Sequence, residues 1–255
     1  MSRRNSILKT AKAACLSATV AGALLATTSL AHADGYSAPR SYAPAGTAID
    51  WSGFYVGVHA GWAATDADTK YNPAGTTFDV TSYDGIYGGH IGYQRQLGVI
   101  VLGIEAGISA TFDDNKGSSP CPDVQYSCSQ GLQDYIFTVG GRLGFAAGHL
   151  MPYLTLGYAH TSLAYSALGG PNPETAETDH HGIYAGAGLD WMIRDNWILG
   201  IEYRNYRFFD EKQMPINLLT GGTGYPYVVE PSADSISVRL SYKFGHRHEH
   251  YEPLK

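Results

Sequence analysis

The sequence is short of positive charge. Its 255 residues hold 17 Lys and Arg against 23 Asp and Glu, a formal net charge of −6. Four of the basic residues (Arg3, Arg4, Lys9 and Lys12) and none of the acidic ones lie in the first 33 positions, which leaves the remainder near −10. Such a surface is not built to neutralise phosphates, so nucleic acid is excluded as a partner. Long apolar runs are also missing. Beyond residue 33 none approaches the roughly 18 residues of a spanning helix. If this chain crosses a membrane it must do so as strands of a closed barrel, because hydrocarbon satisfies no unpaired backbone group. No Ser/His/acid set with recognisable spacing is present. No catalytic residue, metal site or cofactor is therefore assigned, and the chain reads as a non-enzyme.

The N-terminus supplies an address. A basic patch is followed by an apolar stretch from Ala13 to about Leu30 and then Ala31-His32-Ala33. This order of basic, apolar and small-residue segments is that of a secretory signal, with cleavage expected after Ala33. The alternatives are a membrane anchor, disfavoured by the Ala, Thr and Ser content, and a lipoprotein at Cys15, which lacks a Leu three residues earlier. Residues 34–50, rich in Ala, Pro, Ser and Gly, read as a flexible lead-in.

Glycine and tyrosine are abundant instead, at 31 and 19 residues. From Trp51 onward eight segments alternate with period two, the signature of strands with two unlike faces. They are 52–64, 83–96, 99–112, 133–146, 151–166, 181–193, 197–209 and 234–245. In the first, Phe54, Val56, Val58, Ala60 and Trp62 share one face and Tyr55, Gly57, His59 and Gly61 the other. Short turns fall around Leu97-Gly98, Ala147–Leu150 and Arg194–Asn196. Long polar loops are expected at 65–82, 113–132, 167–180 and 210–233. Short and long connections segregated in this way predict an all-β, eight-stranded antiparallel up-and-down transmembrane β-barrel. The turns and both termini would lie in the periplasm and the loops outside. A soluble lipocalin-like barrel would share the strand count but turn its apolar face inward. Three features favour the membrane reading: the loop asymmetry, the glycine-lined second face, and aromatic residues near strand ends (Trp62, Tyr93, Trp191, Trp197 and Tyr242).

The segments WSGFYVGVHAGW, GGHIGYQRQ, VLGIEAGIS, FTVGGRLGFAAGHLMPYLTLGYAH, GIYAGAGLDWMIRDNWILGIEYR and ISVRLSYKF resemble the small outer-membrane barrel, or porin-family surface-antigen, proteins of alphaproteobacteria. The resemblance covers about residues 51–245. It implies an outer-membrane location, surface antigenicity and a structural role in the envelope. Some relatives are described as hemin-binding and others loosely as porins. Its partners would be outer-membrane lipid and lipopolysaccharide, and the barrel-assembly machinery during biogenesis. The sequence departs from the family at its end: Phe244 is followed by Gly245 and a His-rich tail, residues 246–255, expected to be disordered and periplasmic.

Seven charged residues stand on the glycine-rich face: Glu105, Arg142, Asp190, Glu202, Arg204, Arg239 and Lys243. The lumen of an eight-stranded barrel is just wide enough for side chains to fill, and buried charges there must pair. A salt-bridge network plugging the lumen is expected, with a narrow ion path as the rival. Cys121 and Cys128, in the second long loop, are candidates for a disulfide in an oxidising compartment. His246, His248 and His250 share one face of an extended chain and could hold a metal ion. His180 and His181, with Tyr225 and Tyr227, could ligate heme at the surface. A heme or host-ligand receptor and a narrow solute or ion channel are thus the rival functions to a structural barrel.

Overall fold

The computed structural model describes residues 49–71, 76–112, 117–120, 127–168, 170–194, 196–224 and 227–244. The signal segment, most of the lead-in, Cys121, Tyr225 and the C-terminal tail lie outside these ranges. Eight long strands dominate: β1 (Gly53–Tyr71), β2 (Thr76–Leu97), β3 (Ile100–Thr111), β5 (Ser127–Phe145), β6 (Leu150–Leu168), β7 (Glu174–Arg194), β8 (Trp197–Phe208) and β11 (Tyr227–Phe244). Three short strands, β4 (Gly117–Pro120), β9 (Glu211–Gln213) and β10 (Ile216–Asn217), attach to them in the long connections. Each long strand pairs antiparallel with its neighbours in chain order, and β1 pairs with β11 from Phe54–Phe244 to Tyr71–Tyr227. The sheet therefore closes on itself as an eight-stranded barrel, with no free edge across the apolar belt of the described residues.

At one end, here the turn end, the connections are tight. Gly98 and Gly148 open two-residue turns with φ of 66° and 65°, values that only glycine adopts without strain. At the opposite, loop end the strands run further than the alternation indicated. The segments expected as loops at 65–82, 113–132, 167–180 and 210–233 are largely strand: β1 continues to Tyr71 and β2 starts at Thr76, while β5, β7 and β11 start at Ser127, Glu174 and Tyr227. The reason is physical. Beyond the apolar belt the outward face turns polar, as at Asp66, Glu177 and Asp179, while the inward face carries residues such as Ala67, Ala176 and Val229, so the apolar-outward alternation stops although the backbone pairing continues.

The outside of the barrel is the apolar face. Phe54, Val58, Ile91, Ile104, Leu156, Ile183 and Val238 are all exposed on the described surface. Two aromatic girdles bound this belt. Phe54, Tyr93, Phe145, Trp191, Trp197, Tyr242 and Phe244 lie toward the turn end; Trp62, Tyr83, Tyr87, Phe112, Tyr135, Tyr158 and Tyr203 lie toward the loop end. Trp62 is 71% exposed although it is the largest side-chain type. The eight residue-to-residue steps from Phe54 to Trp62, on a tilted strand, span roughly 20 Å along the barrel axis, close to the height of an outer-membrane hydrocarbon layer. A water-soluble barrel would bury this face.

The interior is built from large side chains set against glycine. Along the paired strands Tyr55 faces Gly92, His59 faces Gly88 and His90 faces Gly57. Tyr153 faces Gly188 and Tyr184 faces Gly157. The charges follow the same rule: Glu105 faces Gly92 and Gly140, Arg142 faces Gly103, Glu202 faces Gly188, and Asp190 and Arg239 both face Gly200. A narrow lumen admits these large groups because each has glycine opposite it on at least one neighbouring strand. A Cβ on Gly188 would meet the Tyr153 ring and come within 2.7 Å of the Ile201 carbonyl oxygen. Gly188→Ala is therefore expected to destabilise the folded barrel by about 1–3 kcal/mol, whereas Gly89→Ala, on the outer face with its nearest atom at 3.6 Å, changes stability little. Urea unfolding in lipid vesicles checks this, and equal effects at the two sites would contradict the packing rule.

Candidate functional site: the charged lumen

Six of the seven charged residues singled out in the sequence meet in the middle of the lumen. Glu105 on β3 is the hub. Its Oε1 lies 2.7 Å from Arg204 Nη2, and its Oε2 lies 2.5 Å from Arg239 Nη2 and 3.9 Å from Arg142 Nη1. Glu202 joins Arg204 at 3.0 Å and also pairs with Arg239. Asp190 pairs with Arg142. Three carboxylates and three guanidiniums, contributed by β3, β5, β7, β8 and β11, thus form a neutral set, and all six residues are buried. An unpaired ion in this position would be very costly, so neutrality is a condition for burial.

The aromatic lining completes the network. Tyr55 on β1 donates to Glu105 Oε2 at 2.8 Å. The Arg142 guanidinium lies over the Tyr153 ring of β6, 3.6 Å from its centroid, and Arg204 stands 5.0 Å from that of Tyr184. On β1 and β2, the Nδ1 atoms of His59 and His90 lie 3.4 Å apart, and their Nε2 atoms bond Ser109 and Ser241 at 2.8 Å each. All eight wall strands therefore contribute to a polar layer. Sequence reasoning placed these rings on the glycine face without assigning them to the network. The available signal was a large ring alone among glycines.

Lys243 stands apart from this set. Its Nζ donates to the Ser52 carbonyl at 3.1 Å, near the turn end of the lumen. Alternation identified its face correctly but carries no information on depth, and four residues along β11 separate it from Arg239.

Apolar layers close the lumen on either side. At the turn end Trp51, wholly buried just before β1, packs with Val101, Met151, Met192 and Ile198. It is fixed by three hydrogen bonds: its backbone N–H to Gln96 Oε1 at 2.9 Å, its indole N–H to the Gly148 carbonyl at 3.1 Å, and Gln94 Nε2 to its own carbonyl at 2.7 Å. Toward the loop end Ile136, Ala159, Tyr184, Tyr206, Phe208 and Ala233 form one cluster, and Ala67, Leu163 and Val229 another. Between the charges and the upper cluster lies a cavity of about 10 Å³ lined by His59, Ser109, Glu202 and Arg204 among others. That is about the room one water needs, and Glu202 Oε1 and Arg204 Nε, which lack protein partners among the described residues, border it.

The other candidates lie elsewhere. His180 and His181 do not act as a pair, because consecutive strand residues point to opposite faces: His180 is buried inward and His181 exposed outward. Tyr225 and the side chain of Tyr227 lie outside the described residues. Cys128 is disulfide-bonded, and Cys121 lies outside the described residues, as do His246, His248 and His250.

Comparison with known proteins agrees with this architecture. The model of the outer membrane protein beta-barrel domain matches residues 20–244. The 31 kDa outer-membrane immunogenic protein of Brucella melitensis is 31% identical over 189 residues, covering 66% of this chain and 74% of that protein. A 22 kDa outer membrane protein of Rhizobium leguminosarum is 26% identical over 204 residues, covering 79% and 82%. Among solved structures, the outer membrane protein OprG of Pseudomonas aeruginosa aligns with a TM-score of 0.47 at 12% identity, over 76% of this chain and 97% of that one. At that score the fold rests on the closed strand order described above.

The network makes Asp190 a sensitive point, since Arg142 is the cation paired with it. Arg142→Met keeps most of the stem but strands a buried carboxylate, so a loss of about 3–5 kcal/mol is expected. Adding Asp190→Leu to that variant should recover part of the loss. Lys243→Met removes one hydrogen bond and should cost about 0.5–1.5 kcal/mol. Denaturant midpoints of the three variants check the order, and a Lys243→Met loss as large as that of Arg142→Met would contradict the division between them.

Proposed function

The chain belongs to the outer membrane protein β-barrel family, and on that premise we propose that it is a structural, non-conducting barrel that strengthens the envelope and displays its loop-end hairpins at the cell surface. The observation that carries this reading is the filled lumen. From the turn end inward, a Trp51 plug, a neutral six-charge layer and two apolar clusters succeed one another along the axis. A conducting pore of this family would need a continuous polar path. The turn end faces the periplasm in this reading, so that both termini are periplasmic and the long hairpins are outside. Short turns on the inner side and long connections on the outer side are the general arrangement of such barrels. Extended, hydrogen-bonded hairpins beyond the belt suit presentation to other surfaces, because their shape is set by the barrel rather than by a ligand.

Purified protein reconstituted in planar bilayers should be electrically silent, and Trp51→Ala should remain silent because the charged layer still occupies the lumen. Discrete conductance steps in the unaltered protein would overturn the reading. In cells, deletion should raise sensitivity to detergents and bile salts without impairing uptake of a small solute. A nutritional defect with intact detergent resistance would point to transport instead.

A further inference from the structure

The outer surface carries one cluster that neither the lumen nor the apolar belt explains. His160 on β6 and His181 on β7 are direct cross-strand partners. Their Nδ1 atoms lie 3.3 Å apart and their ring centroids 4.9 Å apart. Tyr158, two residues along β6 on the same face, brings its Oη to the same His181 Nδ1. His181 and Tyr158 are exposed, and His160 is half-buried. His160 Nδ1 and Tyr158 Oη thus both lie beside His181 Nδ1 on the outer wall, at the loop-end rim of the belt. Below it lie the exposed apolar Leu156 and Ile183.

The geometry points to a binding site for a late first-row transition-metal dication such as Zn²⁺, ligated by Nδ1 of His160 and Nδ1 of His181, with Tyr158 Oη, here hydrogen-bonded to His181, as an adjacent donor that must draw back from His181 to join them, and the remaining position open to water. Two nitrogens bound to one tetrahedral zinc at ~2.0–2.1 Å stand about 3.3–3.4 Å apart, which is the spacing found here. Imidazole nitrogen suits zinc, copper and nickel. The ligands sit on paired strands, so little backbone must be ordered when a metal enters. Ligation through Nδ1 leaves each neutral imidazole its one proton on Nε2, so only ligation by Tyr158 as phenolate would release a proton to solvent.

The surroundings favour a cation. Asp179 lies two residues from His181 on the same face of β7. Next along that face is Glu177, which accepts a hydrogen bond from Ser162 at 3.4 Å. Arg207, opposite Ile183 on β8, supplies the opposing charge. The inner pair of His59 and His90 is a useful contrast. Its nitrogens are similarly spaced, but both Nε2 atoms are tied to serines and Arg204 lines the adjoining cavity. Glu202 lines that cavity too, so the pair is a structural link beside the neutral charged layer.

The test uses the folded full-length protein in detergent, stripped with chelator and titrated with zinc chloride by calorimetry. Cobalt chloride is titrated in parallel for its visible tetrahedral bands. Because His246, His248 and His250 in the tail can also take metal, the titration is repeated with all three changed to Ala. The expected result is one Zn²⁺ per chain that persists in the tail variant. His160→Ala and His181→Ala should each weaken it at least about tenfold. Tyr158→Phe should weaken it less, and His149→Ala, at the turn end, should leave it unchanged. Folding of each variant is checked by the gel shift between boiled and unboiled samples. No zinc binding, binding lost entirely with the tail histidines, or binding unaltered in folded His160→Ala and His181→Ala would each overturn the proposal.

Discussion

The closure of β1 onto β11 is the constraint from which the rest follows. In hydrocarbon no water satisfies an open sheet edge, so every backbone group of the belt must find a partner within the sheet. The continuous pairing from Phe54–Phe244 to Tyr71–Tyr227 meets that demand with eight strands. Eight strands then fix a lumen with room for side chains and little else. The setting of bulky residues against glycine on at least one side, as in Tyr153 over Gly188 or Arg142 beside Gly103, is how this sequence fits that width. The exterior obeys the complementary rule, with apolar side chains in the belt and aromatic rings at both margins.

A narrow lumen also dictates its electrostatics. Charges inside it cannot be hydrated in bulk, and they reach across the axis to one another. Glu105 and Arg239 stand on strands separated by two others in the wall, yet they are in contact. The network therefore ties together strands that share no backbone hydrogen bonds. Buried ion pairs are poor evidence of extra stability, since a hydrophobic filling can do as well. Their contribution here is better seen as specificity. A slip of one residue by β3 or β5 would turn Glu105 or Arg142 toward lipid and strand its partners.

Much of this was legible in the sequence because the belt treats the two faces of a strand differently. Phe54, Val56 and Val58 against Tyr55, Gly57 and His59 could be sorted by period alone. So could the charged residues, since each stood on the face opposite the apolar one. What escaped had no periodic signal. The hairpins beyond the belt turn a polar face outward and only a few apolar residues such as Ala67 and Val229 inward, so their strands read as loops. Lys243 showed its face but not its depth. His180 and His181 are neighbours in sequence but not in space, while His181 and His160, twenty-one residues apart, touch across the sheet. Trp51 precedes the first strand, and nothing in its flanks marks it as a plug.

The central claim is that the lumen is filled by one coupled, neutral network. The most direct measurement is a double-mutant cycle between Glu105 and Arg239, using Glu105→Ala, Arg239→Ala and the pair, in reversible unfolding from lipid vesicles. The contact across the lumen predicts a coupling of roughly 1–3 kcal/mol. Losses that add to within about 0.5 kcal/mol would contradict it, because residues on separated strands would then be acting independently.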